Sequence, residues 1–169
     1  LWLFSDTENA RCNLRQEAAD RDVDPDRLVF AHKIEKSEHL SRLKWADLAL
    51  DTRIVNRHTT TSDSLWAGVP VIALQGRHFA SRVSSSILHA VGLPELVTHR
   101  LEEYEKLAVQ LASRSSELKA IRHKLNINRL EKPLFDTARF VRNLENAYSE
   151  MWRIFLEGRA ATEIKVSEV

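Results

Sequence analysis

Two apolar runs enclose a cluster of threonines between Trp45 and Leu74, in the segment WADLALDTRIVNRHTTTSDSLWAGVPVIAL. Ala46 to Leu50 ends at Asp51-Thr52, while Val69 to Leu74 is rich in β-branched residues and flanked by Gly68 and Gly76. Short apolar runs bounded in this way read as buried parallel strands. Between them Thr59-Thr60-Thr61-Ser62-Asp63 opens a short helix, with Thr60 and Asp63 at capping-box spacing, and Gly68 followed by Pro70 closes it. The order is strand, loop, helix, strand. Hydroxyls and unpaired backbone N–H groups thus gather at a helix N-terminus beyond the carboxyl end of a strand. Open α/β sheets bind ligands at such a place, and the helix dipole favours an anion there. A diphosphate fits this chemistry.

The rest of the chain keeps the alternation. Leu1 to Phe4 reads as a strand, Thr7 to Asp20 as a helix, Asp22 to Arg27 as a turn around Pro25, and Leu28 to Ala31 as the second strand. Lys36 to Lys44 forms a short helix before the third strand. Ala80 to Val91 forms another, stopped by Gly92 and Pro94, and Leu96 to Thr98 gives a short last strand. This pattern predicts an α/β domain with a Rossmann-like, mostly parallel sheet. A helical C-terminal segment follows. Leu101 to Leu111 places Leu101, Tyr104, Leu107, Ala108 and Leu111 on one face, and Ser115 to Leu130 continues the pattern. After Pro133, Asp136 to Leu156 is an amphipathic helix lined by Phe140, Leu144, Ala147, Tyr148, Met151 and Trp152, of which Tyr148, Met151 and Trp152 read as core; these helices are expected to cover the sheet or reach a neighbouring domain. Residues 1–157 are expected to form one lobe and residues 158–169 a mobile, charged tail.

Composition narrows the class. At 169 residues and 43% hydrophobic content the chain can bury a core, and 25 Lys plus Arg against 24 Asp plus Glu give no reason to expect nucleic acid or an anionic membrane as partner. Cys12 is the single cysteine, which rules out an internal disulfide and fits a reducing compartment. No apolar run approaches the ~20 residues of a membrane span, and the N-terminus has no secretory pattern. The expected setting is cytoplasmic. Leu1 already lies in a strand with no initiator methionine before it, so the numbering is expected to start inside a larger protein.

Candidate sites follow from spacing. His58 with Thr59, Thr60 and Thr61 reads either as a phosphate site, with Thr59 and Thr60 offering hydroxyl and backbone donors, or as a threonine-rich cap beside a solvated histidine. Asp63, one turn in, reads as an acceptor for sugar hydroxyls or as a capping carboxylate. Lys36, His39 and Arg42 lie at i, i+3 and i+6, near one face of a short helix; they suit a phosphate and a base, or form a solvated face. Ser84, Ser85 and Ser86 lack a glycine elbow and read as small packing residues. The histidines show no metal-ligand spacing, and no metal or other cofactor is expected.

These stretches also resemble a known family. Leu28-Val29-Phe30, Lys36-Ser37-Glu38-His39, Ala46-Asp47, Leu50-Asp51-Thr52, Asn56 with His58-Thr59-Thr60, Ser64 to Pro70 and Ala80 to Val83 resemble, in order, the O-linked N-acetylglucosamine transferase and SPINDLY family. Glu103-Tyr104, Pro133-Leu134-Phe135 and Tyr148 to Trp152 extend the likeness over most of the chain.

The resemblance implies the C-terminal, donor-binding lobe of a GT-B glycosyltransferase. It implies that Lys36, His39 and Arg42 hold the nucleoside, with His39 packing on uracil, and that His58, Thr59, Thr60 and Asp63 hold diphosphate and ribose. Lys33-Ile34-Glu35 stands where the transferases commonly carry an Ala-Pro pair, and Arg57 where a small residue is usual; His58 leans toward the uridine branch. By the same resemblance the catalytic histidine, a further phosphate-binding lysine and the lobe's first strand and helix lie upstream of Leu1. A chain cut there is expected to be inactive alone, with exposed strand edges that favour exchange between copies or low stability. The implied activity is transfer of N-acetylglucosamine from UDP-GlcNAc to Ser or Thr hydroxyls of proteins held by upstream tetratricopeptide repeats. Transfer of fucose from GDP-fucose, and a non-catalytic nucleotide-binding or scaffold module, are the alternatives.

Overall fold

The apolar runs at Trp2–Phe4 (β1) and Val29–Ala31 (β2) pair in parallel, with Leu3 opposite Phe30. Helix α1, Glu8–Ala19, connects them, and its first turn is capped by the Thr7 hydroxyl, which accepts the Ala10 N–H at 3.3 Å. Parallel neighbours need a crossover connection of about this length, usually a helix. The guanidinium groups of Arg11 and Arg15 lie over the Phe30 ring at 6.0 and 5.5 Å. Helix α2, Lys36–Leu43, follows. The structure, a computed structural model, describes residues 1–166 and divides into two compact units, Leu1–Arg42 and Leu43–Val169.

The second unit contains the apolar core. Strands β3 (Ala49–Leu50), β4 (Val71–Leu74) and β5 (Val97–Thr98) form a parallel sheet in that order, with β4 central. Burial on both faces explains why Val71, Ile72 and Ala73 run without polar alternation. Around β4 pack α3 (Thr59–Trp66), α4 (Val83–Ala90), α5 (Leu101–Ser113) and α6 (Ser115–Glu131), which bring Leu65, Leu88, Leu111 and Leu125 into one cluster. Leu111, Tyr104, Leu107 and Ala108 share the inward face of α5, as their spacing requires, whereas Leu101, expected beside them, starts the helix exposed. Helix α7, Thr137–Leu156, starts at Asp136, whose carboxylate accepts the Arg139 N–H at 2.9 Å.

Four expectations need correction. The strands pair as two ladders, β1–β2 in the first unit and β3–β4–β5 in the second, and not as a single sheet. β3 begins at Ala49 and not Ala46, because the Ala46 N–H turns back to the Leu43 carbonyl at 2.9 Å and the ladder to β4 starts with the Ala49 N–H on the Pro70 carbonyl at 2.8 Å. β4 begins at Val71 because the Val69 N–H closes the end of α3 on the Ser64 carbonyl at 2.9 Å and Pro70 has no N–H to donate. On α7 only Ile154 is buried, whereas Phe140, Tyr148, Met151 and Trp152 are exposed; periodicity reports an apolar face and not what covers it.

Two residues past the end of α7, Gly158 adopts φ +65°, and residues 159–166 carry no regular secondary structure. A cavity of about 330 Å³ lies between them and α7, lined by Glu150, Ile154, Arg159 and Ile164. The last part of the expected tail, 167–169, lies outside the described residues.

Candidate nucleotide-sugar site

In the second unit the site is built by the loop that joins β3 to α3. Asp51 ends β3 and is 5% exposed. Its Oδ1 accepts the Thr52 N–H at 2.8 Å and the Arg57 N–H at 2.7 Å, which closes residues 52–57 into a ring. The other oxygen, Oδ2, is buried without a hydrogen-bond partner. Burial therefore pushes the Asp51 carboxyl up, against the opposing pull of the Arg57 and Thr52 amides and the Arg57 charge. The Ser84 hydroxyl donates to the Arg57 carbonyl at 2.7 Å, so its single proton is committed there.

The same carbonyl accepts the Thr61 hydroxyl at 2.8 Å, and Thr61 Oγ1 lies 2.9 Å from Ser84 Oγ. Ser84 is thus more than the packing residue expected from its size. Asn56, 3% exposed, donates from its side chain to the Thr52 carbonyl at 3.0 Å and from its backbone to the Ala80 carbonyl at 2.8 Å. Tyr104 reaches from α5 to the Asp51 carbonyl at 2.9 Å. Its phenol is pushed up to about 12, first by burial and then by the nearby Asp51 charge.

This framework delivers His58, Thr59 and Thr60 to the surface at the start of α3. All three are exposed, and the His58 ring meets Phe79 edge-on at 6.1 Å. The first-turn N–H groups of Thr59 and Thr60 have no carbonyl within the helix to bond. Thr61 is turned inward and Ser64 bonds back to the Thr60 carbonyl at 2.9 Å. The expected capping box at Thr60 and Asp63 does not form: His58 occupies the cap position and α3 has no side-chain cap bond. The hydroxyls of the threonine cluster divide by geometry. Thr61 serves the framework, and Thr59 and Thr60 face outward.

In the first unit, Lys36, His39 and Arg42 lie along α2 as their spacing predicts. Arg42 is largely occupied by its own unit. Its Nη1 donates to the His32 carbonyl at 2.8 Å, its Nε donates to His39 Nδ1 at 3.2 Å, and its guanidinium lies 5.5 Å from the Trp2 ring centre. Because an arginine Nε can only donate, His39 Nδ1 is the acceptor and the ring proton of neutral His39 resides on Nε2. Arg42 therefore orients His39. Arg11 braces the same strand ends, donating to the Ser5 carbonyl at 2.9 Å and lying 3.0 Å from His32 Nδ1.

Lys36, His39 and Arg42 belong to the first unit, and His58, Thr59, Thr60 and Asp63 to the second. Sequence reasoning missed Asp51, Tyr104 and Ser84 as parts of the loop framework. Only the Asp51-Thr52 pair gave a local signal, as the polar end of an apolar run. Among the described residues, no group of three or more His, Cys, Asp or Glu is placed to hold a metal ion. No helix among them is long and apolar enough to cross a membrane.

Residues 1–144 match the model of glycosyl transferase family 41. The chain is 42% identical, over 99% of its length, to a protein of Arabidopsis thaliana named probable UDP-N-acetylglucosamine--peptide N-acetylglucosaminyltransferase SEC. A Caenorhabditis elegans UDP-N-acetylglucosamine--peptide N-acetylglucosaminyltransferase is 35% identical over 94% of the chain, and a Petunia hybrida relative bearing the name SPINDLY is 39% identical over 72%. The chain spans 17%, 14% and 13% of these three relatives. A mutant O-GlcNAc transferase of Thermobaculum terrenum superposes on 90% of this chain with a TM-score of 0.84 at 32% identity, the match covering 30% of that structure.

Proposed function

The chain belongs to glycosyl transferase family 41, and from that premise we propose that it is the donor-binding lobe of a protein O-glycosyltransferase using UDP-GlcNAc. The observation that carries this reading is the outward pair Thr59 and Thr60, held at a helix N-terminus by a buried polar framework. Such a terminus offers N–H and hydroxyl donors to a diphosphate. During transfer the bond between sugar and diphosphate breaks, and donors already in place stabilise the charge left on the departing phosphate oxygen. Lys36 adds a positive charge, His39 supplies a flat ring for the base, and Asp63 supplies acceptors for ribose hydroxyls.

The relatives' names specify UDP-N-acetylglucosamine, which supports uridine over the guanosine of a fucose donor. The general base of the reaction, the tetratricopeptide repeats that hold the acceptor protein and any exchange between copies belong to this proposal as features of the longer protein. A cytoplasmic setting fits the free, exposed Cys12.

Calorimetric titration of UDP and GDP into the folded protein tests the reading. Saturable UDP binding, weakened about tenfold by Lys36→Ala and by Thr60→Ala, is expected from the loss of one charge-assisted or hydroxyl contact each. Preference for GDP would move the assignment to the fucose branch. A folded full-length protein that binds neither nucleotide would favour the scaffold alternative.

A further inference from the structure

We propose that Asp51 is a positioning residue for the diphosphate-binding turn, acting through the Arg57 and Thr52 amides and not by touching the ligand. The proposal rests on the donor-lobe reading above. Asp51 is the hub of the β3–α3 loop: one carboxylate oxygen gathers the N–H groups at both ends of the 52–57 ring, and its own carbonyl is tied to α5 by Tyr104. Immediately after Arg57 come His58, Thr59 and Thr60, so the direction in which the first turn of α3 points is set by where Arg57 is held. That residue is fixed from both sides, its N–H by Asp51 and its carbonyl by Thr61 and Ser84.

A purely structural carboxylate at 5% exposure is an expensive choice, because Oδ2 has no hydrogen-bond partner and Asn56 Oδ1 is buried in the same condition. What the carboxylate supplies is a two-pronged acceptor at one point, which no apolar side chain can replace. Such supporting contacts are the usual means by which a loop is held to the tolerance that ligand binding requires. The ring also leaves Thr52, Arg53, Ile54 and Val55 exposed on its outer side, so little apolar packing would order the segment if the clamp were lost.

The test compares Asp51→Asn with Asp51→Ala in the full-length protein, by UDP titration and by amide hydrogen exchange, with circular dichroism confirming the fold. Asn keeps the Oδ1 acceptor and is expected to hold UDP affinity within about threefold and to keep the Arg57 amide protected. Ala is expected to lower affinity about tenfold or more and to expose the Arg57 amide to exchange, while the β4 amides stay protected. Should Asp51→Ala fail to fold, Asp51→Ser, which leaves the site polar, takes its place with the same expectations. Unchanged affinity in a folded Ala or Ser variant, or an Arg57 amide equally protected in it, overturns the proposal. A wild-type protein that ignores UDP overturns the donor-lobe reading, and with it the ligand half of this one; the exchange data still decide whether Asp51 orders the loop.

Discussion

At the scale of single residues, the site depends on side chains that choose protein partners over solvent. Arg42 illustrates the point: its Nε–H fixes the His39 tautomer. Arg42→Lys keeps the charge but has no planar fork to hold both His39 and the His32 carbonyl. The variant should show mixed His39 tautomers in nitrogen-15 imidazole spectra and UDP affinity lowered about three- to tenfold. An unchanged tautomer would show that Arg42 does not orient the ring.

Tyr104 gives a pH prediction. Its phenol, ordinarily at 10.0, is pushed up to about 12 in the folded protein. A group raised by folding contributes stability that is complete below its unfolded value and lost as pH rises through the folded one. Stability should therefore fall between about pH 10 and 12 as the unfolded chain ionises first. Tyr104→Phe should cost about 0.5–1.5 kcal/mol near pH 8, from the lost bond to Asp51, and remove this part of the alkaline slope. Urea denaturation at pH 8 and 11 measures both effects, and equal slopes in the two proteins would contradict the assignment.

Among the elements, the junction after α4 shows how a turn and a distant helix are matched. Gly92 adopts φ +73°, and a Cβ there would stand 2.8 Å from Asn128 Nδ2, which itself donates to the Val91 and Gly92 carbonyls at 2.9 and 3.1 Å. Gly92→Ala meets both backbone strain and a blocked space. It should lower stability by about 1–3 kcal/mol, and Asn128→Ala by a similar amount through unsatisfied buried carbonyls. Thermal unfolding reads both, and a Gly92→Ala protein as stable as wild type would refute the argument.

Helix α7 behaves differently along its two faces. Ile154 is 6% exposed, so Ile154→Ala should cost about 2–4 kcal/mol, whereas Trp152, at 61% exposed, should change stability by less than about 0.5 kcal/mol when replaced by Ser. The reverse order in denaturant midpoints would place the helix the other way round.

For the whole molecule, stability should be unequal between the units. Every buried hydrophobic residue of the core lies at or beyond Leu65, while in Leu1–Arg42 the sole buried residue is Ser5. Regions with few buried apolar contacts open at lower free energy. Native-state hydrogen exchange should therefore release the β1–β2 amides, such as Leu3, well before those of Ile72 in β4. Equal protection at both positions would show that the first unit opens only with global unfolding.

Much of this protein was legible without coordinates. The apolar runs at Val29–Ala31 and Val71–Leu74, the Gly68-Val69-Pro70 stop and the inward face of α5 each follow from local chemistry, because β-branched runs, proline and helical spacing act over a few residues. The order of the family motifs identified the relatives in the same way. Sequence could not divide the threonines, since Thr59, Thr60 and Thr61 are chemically alike and only the packing of α3 turns Thr61 inward, where its hydroxyl meets the Arg57 carbonyl beside Ser84. Nor could it find that Asp51 gathers the loop, that Arg122 reaches back to the Ala46 carbonyl or that α7 leaves Trp152 exposed. Those outcomes depend on which groups from distant segments share a hydrogen bond or a buried surface. Local patterning determined the elements and the family; tertiary structure decided which polar groups are satisfied within the fold and which, like the hydroxyls of Thr59 and Thr60, stay exposed.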